Sequence, residues 1–123
     1  MSPKEEMLKA ITEILTLACL QEEASFSYYI SKRINERTDG AIHITASFII
    51  PQLYRLLEHG RIRETTRVIH GRERTCYVLT PAGEARLSEL IDAYLDTHQA
   101  FLIFLENQKK ALLEKDAQPS ETP

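Results

Sequence analysis

The side chains able to do chemistry in this chain are cations set among hydrogen-bonding groups. Arg63, Arg67, His70, Arg72 and Arg74 crowd one short stretch, and guanidinium groups at that density suit phosphate. Gln52 and Arg55 stand one helical step apart. A glutamine can bond an adenine edge bidentately, and an arginine a guanine edge or a phosphate. The histidines His43, His59, His70 and His98 are scattered, and none falls at a metal-ligand spacing with Cys19 or Cys76. No glycine-rich phosphate loop is present, and Glu22-Glu23 reads as a solvated helix end. The expectation is therefore no metal, no cofactor and no enzymatic activity. The two cysteines read as packing thiols of a reducing compartment.

The formal net charge of −3 argues against a nucleic-acid binder until it is divided along the chain. Residues 1–25 carry −3, residues 26–77 carry +4 and residues 78–123 carry −4. A basic middle between acidic ends suits a domain whose middle meets phosphate while its ends face solvent or another subunit. With 123 residues there is material for one core with appendages. No stretch approaches the ~18 apolar residues of a membrane span. The start, Met1-Ser2-Pro3-Lys4-Glu5-Glu6, lacks the pattern of a secretory signal, so a cytoplasmic location is expected.

The elements that must position these cations follow from periodicity. Met7, Leu8, Ile11, Ile14, Leu15 and Ala18 recur at three- and four-residue steps from Lys4 to about Glu22, which predicts a first helix. Ser25 is expected to cap a second, with Tyr29, Ile30 and Ile34 inside and Lys32, Arg33 and Arg37 outside; Asp39-Gly40 ends it. A third helix is expected from Thr45 to Gly60, with Ile49, Leu53 and Leu56 inward and Pro51 bending it or delaying its regular part by a turn. Arg61 to Ile69 and Arg74 to Leu79 read as strands of a hairpin turning through His70-Gly71-Arg72-Glu73. Thr80 as cap and Pro81 at the first position open a last helix that meets no breaker until about Lys115.

Helix, helix, turn, helix and hairpin is the order of a winged helix-turn-helix, mostly α with one small hairpin, which places its third helix in the major groove. The division expected is a DNA-binding domain over 1–80, a dimerisation helix over 81–115 and a disordered tail over 116–123. Turning the core stripe of the third helix inward predicts that Thr45, Ser47, Phe48, Gln52 and Arg55 face DNA. Arg67, His70, Arg72 and Arg74 on the wing, with Tyr28, Lys32 and Arg33 on the second helix, are expected to hold the backbone.

The last helix carries Leu87, Ile91, Tyr94, His98, Phe101, Leu105, Gln108 and Leu112 at alternating steps of four and three. Nothing else in the chain is available to cover so long a seam. A homodimer is expected, its interface adding Met7 and Ile11 to Leu87, Ile91, Tyr94, His98, Phe101, Leu105 and Leu112. His98 reads as a polar residue that fixes register, or as a sensor of pH or ligand. Leu15, Tyr94, His98 and Phe101 are candidates to line a small-molecule effector pocket.

Several segments, taken in order, resemble the PadR family of winged-helix regulators. They are Ile14-Leu15-Thr16-Leu17-Ala18-Cys19-Leu20, Ser27-Tyr28-Tyr29-Ile30, Ile49-Ile50-Pro51-Gln52-Leu53-Tyr54-Arg55-Leu56, Gly60-Arg61-Ile62 and Tyr77-Val78-Leu79-Thr80-Pro81-Ala82-Gly83. The likeness spans roughly residues 8 to 90, and the single long last helix resembles the shorter subfamily. The resemblance implies a bacterial homodimeric repressor of nearby genes that binds a pseudo-palindromic operator, in some members released by a small molecule. Ile49-Ile50-Pro51 stands where that family usually has Leu-Tyr-Pro. The alternative expectation is a winged-helix module for a protein partner, favoured by the apolar Phe48 and Ile50 on the third helix.

Overall fold

The structure is a computed structural model that describes residues 1–117. Its elements run α1 (Pro3–Glu22), α2 (Ser27–Arg37), α3 (Ala46–Glu58), β1 (Ile62–Ile69), β2 (Arg72–Leu79) and α4 (Pro81–Ala117). This is the winged helix-turn-helix order expected from the sequence, mostly α with a two-stranded antiparallel wing. The chain divides into two compact units, Met1–Leu90 and the part from Ile91 on. The boundary lies ten residues beyond the expected one because α4 begins inside the first unit, where Gly83 and Leu87 are buried. Asp116 and Ala117 extend α4; the remainder of the expected tail lies outside the described residues.

The core of the first unit is built from one stripe of each helix. Leu17 and Leu20 of α1, Ile30 and Ile34 of α2, Ile49, Leu53 and Leu56 of α3, Ile62 of β1 and Leu87 of α4 close on one another, with Ile44 sealing the turn before α3. Burying a large aliphatic side chain stabilises by roughly 1.5–3 kcal/mol, so this cluster fixes how α3 is presented. Leu87, read from the sequence as a seam residue, is 2% exposed and belongs to this core. It lies one turn before the point where the helix leaves its own domain, and the heptad count runs through that point unchanged.

Caps and turns set the element ends. Ser2 accepts a hydrogen bond from the Glu5 amide at the start of α1. Ser25 does not cap α2 as expected: the N-cap is Phe26, and buried Ser25 pairs in antiparallel fashion with Tyr77. That bridge exchanges two backbone hydrogen bonds, of 3.2 and 2.8 Å, and ties the root of the wing to α2. After α3, Gly60 takes φ +69°. The Arg61 amide then bonds Leu56 O and the Gly60 amide bonds Leu57 O, a Schellman closure that only a left-handed residue permits at this point. Pro51 removes the bond its amide would have made to Ser47 O, and α3 nevertheless stays continuous.

The wing pairs from Ile62↔Leu79 to Ile69↔Arg72, so its turn is His70-Gly71 alone, shorter than the expected four residues. Both turn residues have positive φ, 51° and 77°, the pattern of a two-residue turn whose twist matches that of the strands. At the far end the Thr80 hydroxyl donates to Gly60 O and accepts from the Gly83 amide, joining the end of α3 to the start of α4. A side chain at Gly83 would collide with the Arg61 carbonyl oxygen.

Candidate nucleic-acid interface

Of the nine basic side chains between residues 26 and 77, the fold neutralises three. Arg33 is half-buried, ion-paired with Glu22 and Glu23, and donates to Cys19 O. Arg37 pairs with Glu22, and Arg61 donates to Glu13 at 3.0 Å. Glu13 also receives Arg86 of α4 at 2.9 Å, which makes it a carboxylate shared by α1, the wing root and α4. Arg33 is thus withdrawn from the phosphate-clamping role the sequence suggested, because the α1 C-terminus brings two glutamates over α2. Among the described residues, no carboxylate pairs with Lys32, Arg55, Arg63, Arg67, Arg72 or Arg74, and all six are exposed.

Two of these six cations, Lys32 and Arg74, lie against aromatic rings. The Tyr29 hydroxyl lies 3.3 Å from His70 Nε2 at the wing tip, and Lys32 Nζ stands 6.0 Å from the centre of the Tyr29 ring. The Arg74 guanidinium sits 5.4 Å from the centre of the Phe26 ring, a geometry in which ring and cation attract. Tyr28, exposed, packs edge-on against Tyr29. A hollow between the start of α2 and the wing tip is lined by Phe26, Tyr28, Tyr29, His70, Arg72 and Arg74. On the wing, Arg67 and Arg74 are direct cross-strand partners, an arrangement of like charges that costs the hairpin stability.

On α3 the exposed face is Ser47, Ile50, Pro51, Tyr54, Arg55 and Glu58. Gln52, expected on that face, is 7% exposed, and its Oε1 accepts from Arg55 at 2.8 Å. The steps from Ile49 to Gln52 and from Gln52 to Leu56 are three and four residues, which puts Gln52 on the core stripe. Phe48 is half-buried against the core, and the Thr45 hydroxyl bonds the Ser47 hydroxyl at 2.7 Å. Tyr54, 66% exposed, and Ile50, 41% exposed, occupy the outward face instead. Tyr54 was not singled out from the sequence, although its five-residue step from Ile49 already placed it away from the core.

Ile50 and Tyr54 line a second hollow with Phe26, Leu53, Arg74 and Tyr77, so α3, the start of α2 and the wing share one surface. A third hollow, between α1 and α3, is lined by Lys9, Thr12, Ser47, Phe48, Pro51 and Arg55. The proposed effector-pocket residues line none of these three. Leu15 packs at the edge of the first unit's core, while Tyr94, His98 and Phe101 are exposed on α4. Burial raises the thiols of Cys19 and Cys76 above their ordinary value, and burial followed by the Glu64 carboxylate raises the Tyr77 phenol. All three are thereby held neutral.

A fold of this build has known counterparts. The family model for the Transcriptional regulator PadR-like family matches residues 16–89, from the middle of α1 through the first turns of α4. The chain belongs to the PadR-like family of transcriptional regulators. Membership assigns it to regulation and not to catalysis. Among solved structures it is similar to a transcriptional regulator from Clostridium thermocellum, with 24% identity over 85% of this chain and 97% of that one, at a TM-score of 0.72. A PadR-like transcriptional regulator from Bacillus cereus matches at 23% identity over 81% and 96%, with a TM-score of 0.70. Bacillus subtilis PadR, solved in complex with operator DNA, matches at 18% identity over 92% and 82%, with a TM-score of 0.58. No curated protein matches by sequence. Among the described residues no helix is long and apolar enough to cross a membrane, and no cluster of potential metal ligands occurs.

Proposed function

We propose that this PadR-like regulator is a homodimeric repressor that binds a pseudo-palindromic operator through α3, the start of α2 and the wing, in the cytoplasm of a bacterium. The observation that carries the reading is the six exposed cations that have no carboxylate partner among the described residues, gathered on those elements. Like-charged Arg67 and Arg74 set face to face lower hairpin stability and are best repaid by phosphate. The likeness to a PadR solved in complex with operator DNA supports a DNA-binding use of this fold.

Dimerisation is supported by the part of α4 from Ile91 on, which exposes Ile91, Tyr94, Phe101, Leu105 and Leu112 along one face. In a dimer of this kind the two α3 helices enter major grooves about 34–36 Å apart. Met7 is exposed on α1 and Ile11 partly so, in keeping with a contribution to the same interface. A small-molecule effector would act beside Tyr94, His98 and Phe101, where a change in the dimer alters the spacing of the reading helices.

Gel shifts on the DNA upstream of the protein's own gene, over a salt series, test the reading. Binding is expected to weaken steeply with salt. Arg72→Ala lowers affinity and reduces the salt slope by about one, while Arg55→Ala lowers affinity with some loss of specificity. Equal binding by both variants and the parent would refute the assignment. A stable protein partner in a pull-down, without any DNA shift, would move the function to protein recognition.

A further inference from the structure

We infer that α3 reads thymine, with Ile50 as the residue that senses its 5-methyl group. The inference rests on the DNA-binding reading above and names what that surface selects. With Gln52 buried and its Oε1 engaged by Arg55, the side chain suited to a bidentate adenine contact is removed from the surface. At the centre of the outward face stand Ile50, Pro51 and, one turn on from Ile50, Tyr54. An isoleucine offers no hydrogen bond, and the one apolar group that the four bases present in the major groove is the thymine methyl.

The surroundings decide the kind of occupant. Arg74 lines the hollow that Ile50 and Tyr54 share, Arg55 stands on the same helix, and Arg67 and Arg72 are exposed on the wing. A polyanion that carries apolar methyl groups fits this combination of an apolar centre and a cationic rim. Covering one methyl against Ile50 removes about a methylene's worth of apolar surface from water, equivalent to about fourfold in affinity.

The test uses the full chain. Duplexes retained by the protein are selected from a random-sequence pool, and the tightest is resynthesised with deoxyuridine in place of each thymidine in turn, which changes the methyl alone. The expected result is a loss of about fourfold at one or two positions in each half-site and no change elsewhere. Ile50→Ala is expected to bind the thymine and uracil duplexes equally, and Ile50→Val to keep the difference. A flat uracil scan with the parent protein, or an Ile50→Ala variant that still prefers thymine, overturns the inference and leaves DNA binding standing. Retention of no duplex at all overturns the DNA-binding reading and this inference with it.

Discussion

Gln52, expected from the sequence to face DNA, lies on the core stripe of α3, while Tyr54, given no role from the sequence, stands on the outward face. Residue type favoured glutamine as a reader, yet position along the helix turned it inward. Arg33 and Arg72 differ in the same way: one is spent on Glu22 and Glu23, the other has no carboxylate partner among the described residues. At this scale the thiols are also informative. Cys19 and Cys76 are buried and their ionisation is suppressed by burial, and the thiolate is the reactive form. The folded protein is therefore expected to resist alkylation by iodoacetamide at neutral pH and to take up two equivalents only when denatured, as counted by mass spectrometry. Rapid labelling of either cysteine in the native state would contradict the burial described.

The wing is the element whose design departs most from stability alone. Its two-residue turn, with His70 at φ 51°, keeps both strands in register up to the tip, which holds Arg67 opposite Arg74. Replacing Arg67 with glutamate converts a repulsive cross-strand pair into an attractive one, a change worth roughly 0.2–1 kcal/mol. Arg67→Glu is expected to raise the denaturation midpoint slightly while weakening operator binding, measured by urea titration and gel shift on the same preparation. Loss of stability, or affinity equal to the parent, would show that the wing pair serves the fold. Helix α3 illustrates the complementary case. Its core stripe was legible from Ile49, Leu53 and Leu56, and so was its end at Gly60, whereas the bend or delay expected at Pro51 gave way to a continuous helix from Ala46. Gln52 was misplaced because residue type was weighed above its three- and four-residue steps to Ile49 and Leu56.

For the whole molecule, α4 changes character along its length. Leu87 is part of the first unit's core, whereas Phe101, Leu105 and Leu112 are exposed. Leu95, Ile103 and Phe104 are exposed as well, and Ile103 and Phe104 lie off the seam by helical spacing, so the apolar surface is broader than a two-helix seam needs. The two regions respond differently to mutation. Leu87→Ala is expected to cost about 2–5 kcal/mol of folding stability without a direct effect on assembly. A double Phe101→Asp, Leu105→Asp variant should retain its helical signal and sediment as a single subunit, with operator affinity reduced at least tenfold. Circular dichroism and sedimentation velocity separate the two, and a double variant that remains dimeric would remove the seam from the interface.

The order of elements, the hairpin, the Thr80-Pro81 start of α4 and the basic middle of the chain were all readable in advance, because each depends on local spacing, turn chemistry or charge counted along the chain. The Tyr77 to Gly83 run was readable as a pattern, and the structure supplies its reason in the Thr80 double hydrogen bond and the close approach of Gly83 to Arg61. What tertiary structure alone decided is which neighbour each polar group meets. A period of 3.6 residues gives a direction around a helix, but the glutamates over Arg33, the bridge that claims Ser25 and the unit boundary beyond Leu87 arise from contacts between different elements. No local rule carries information about such contacts.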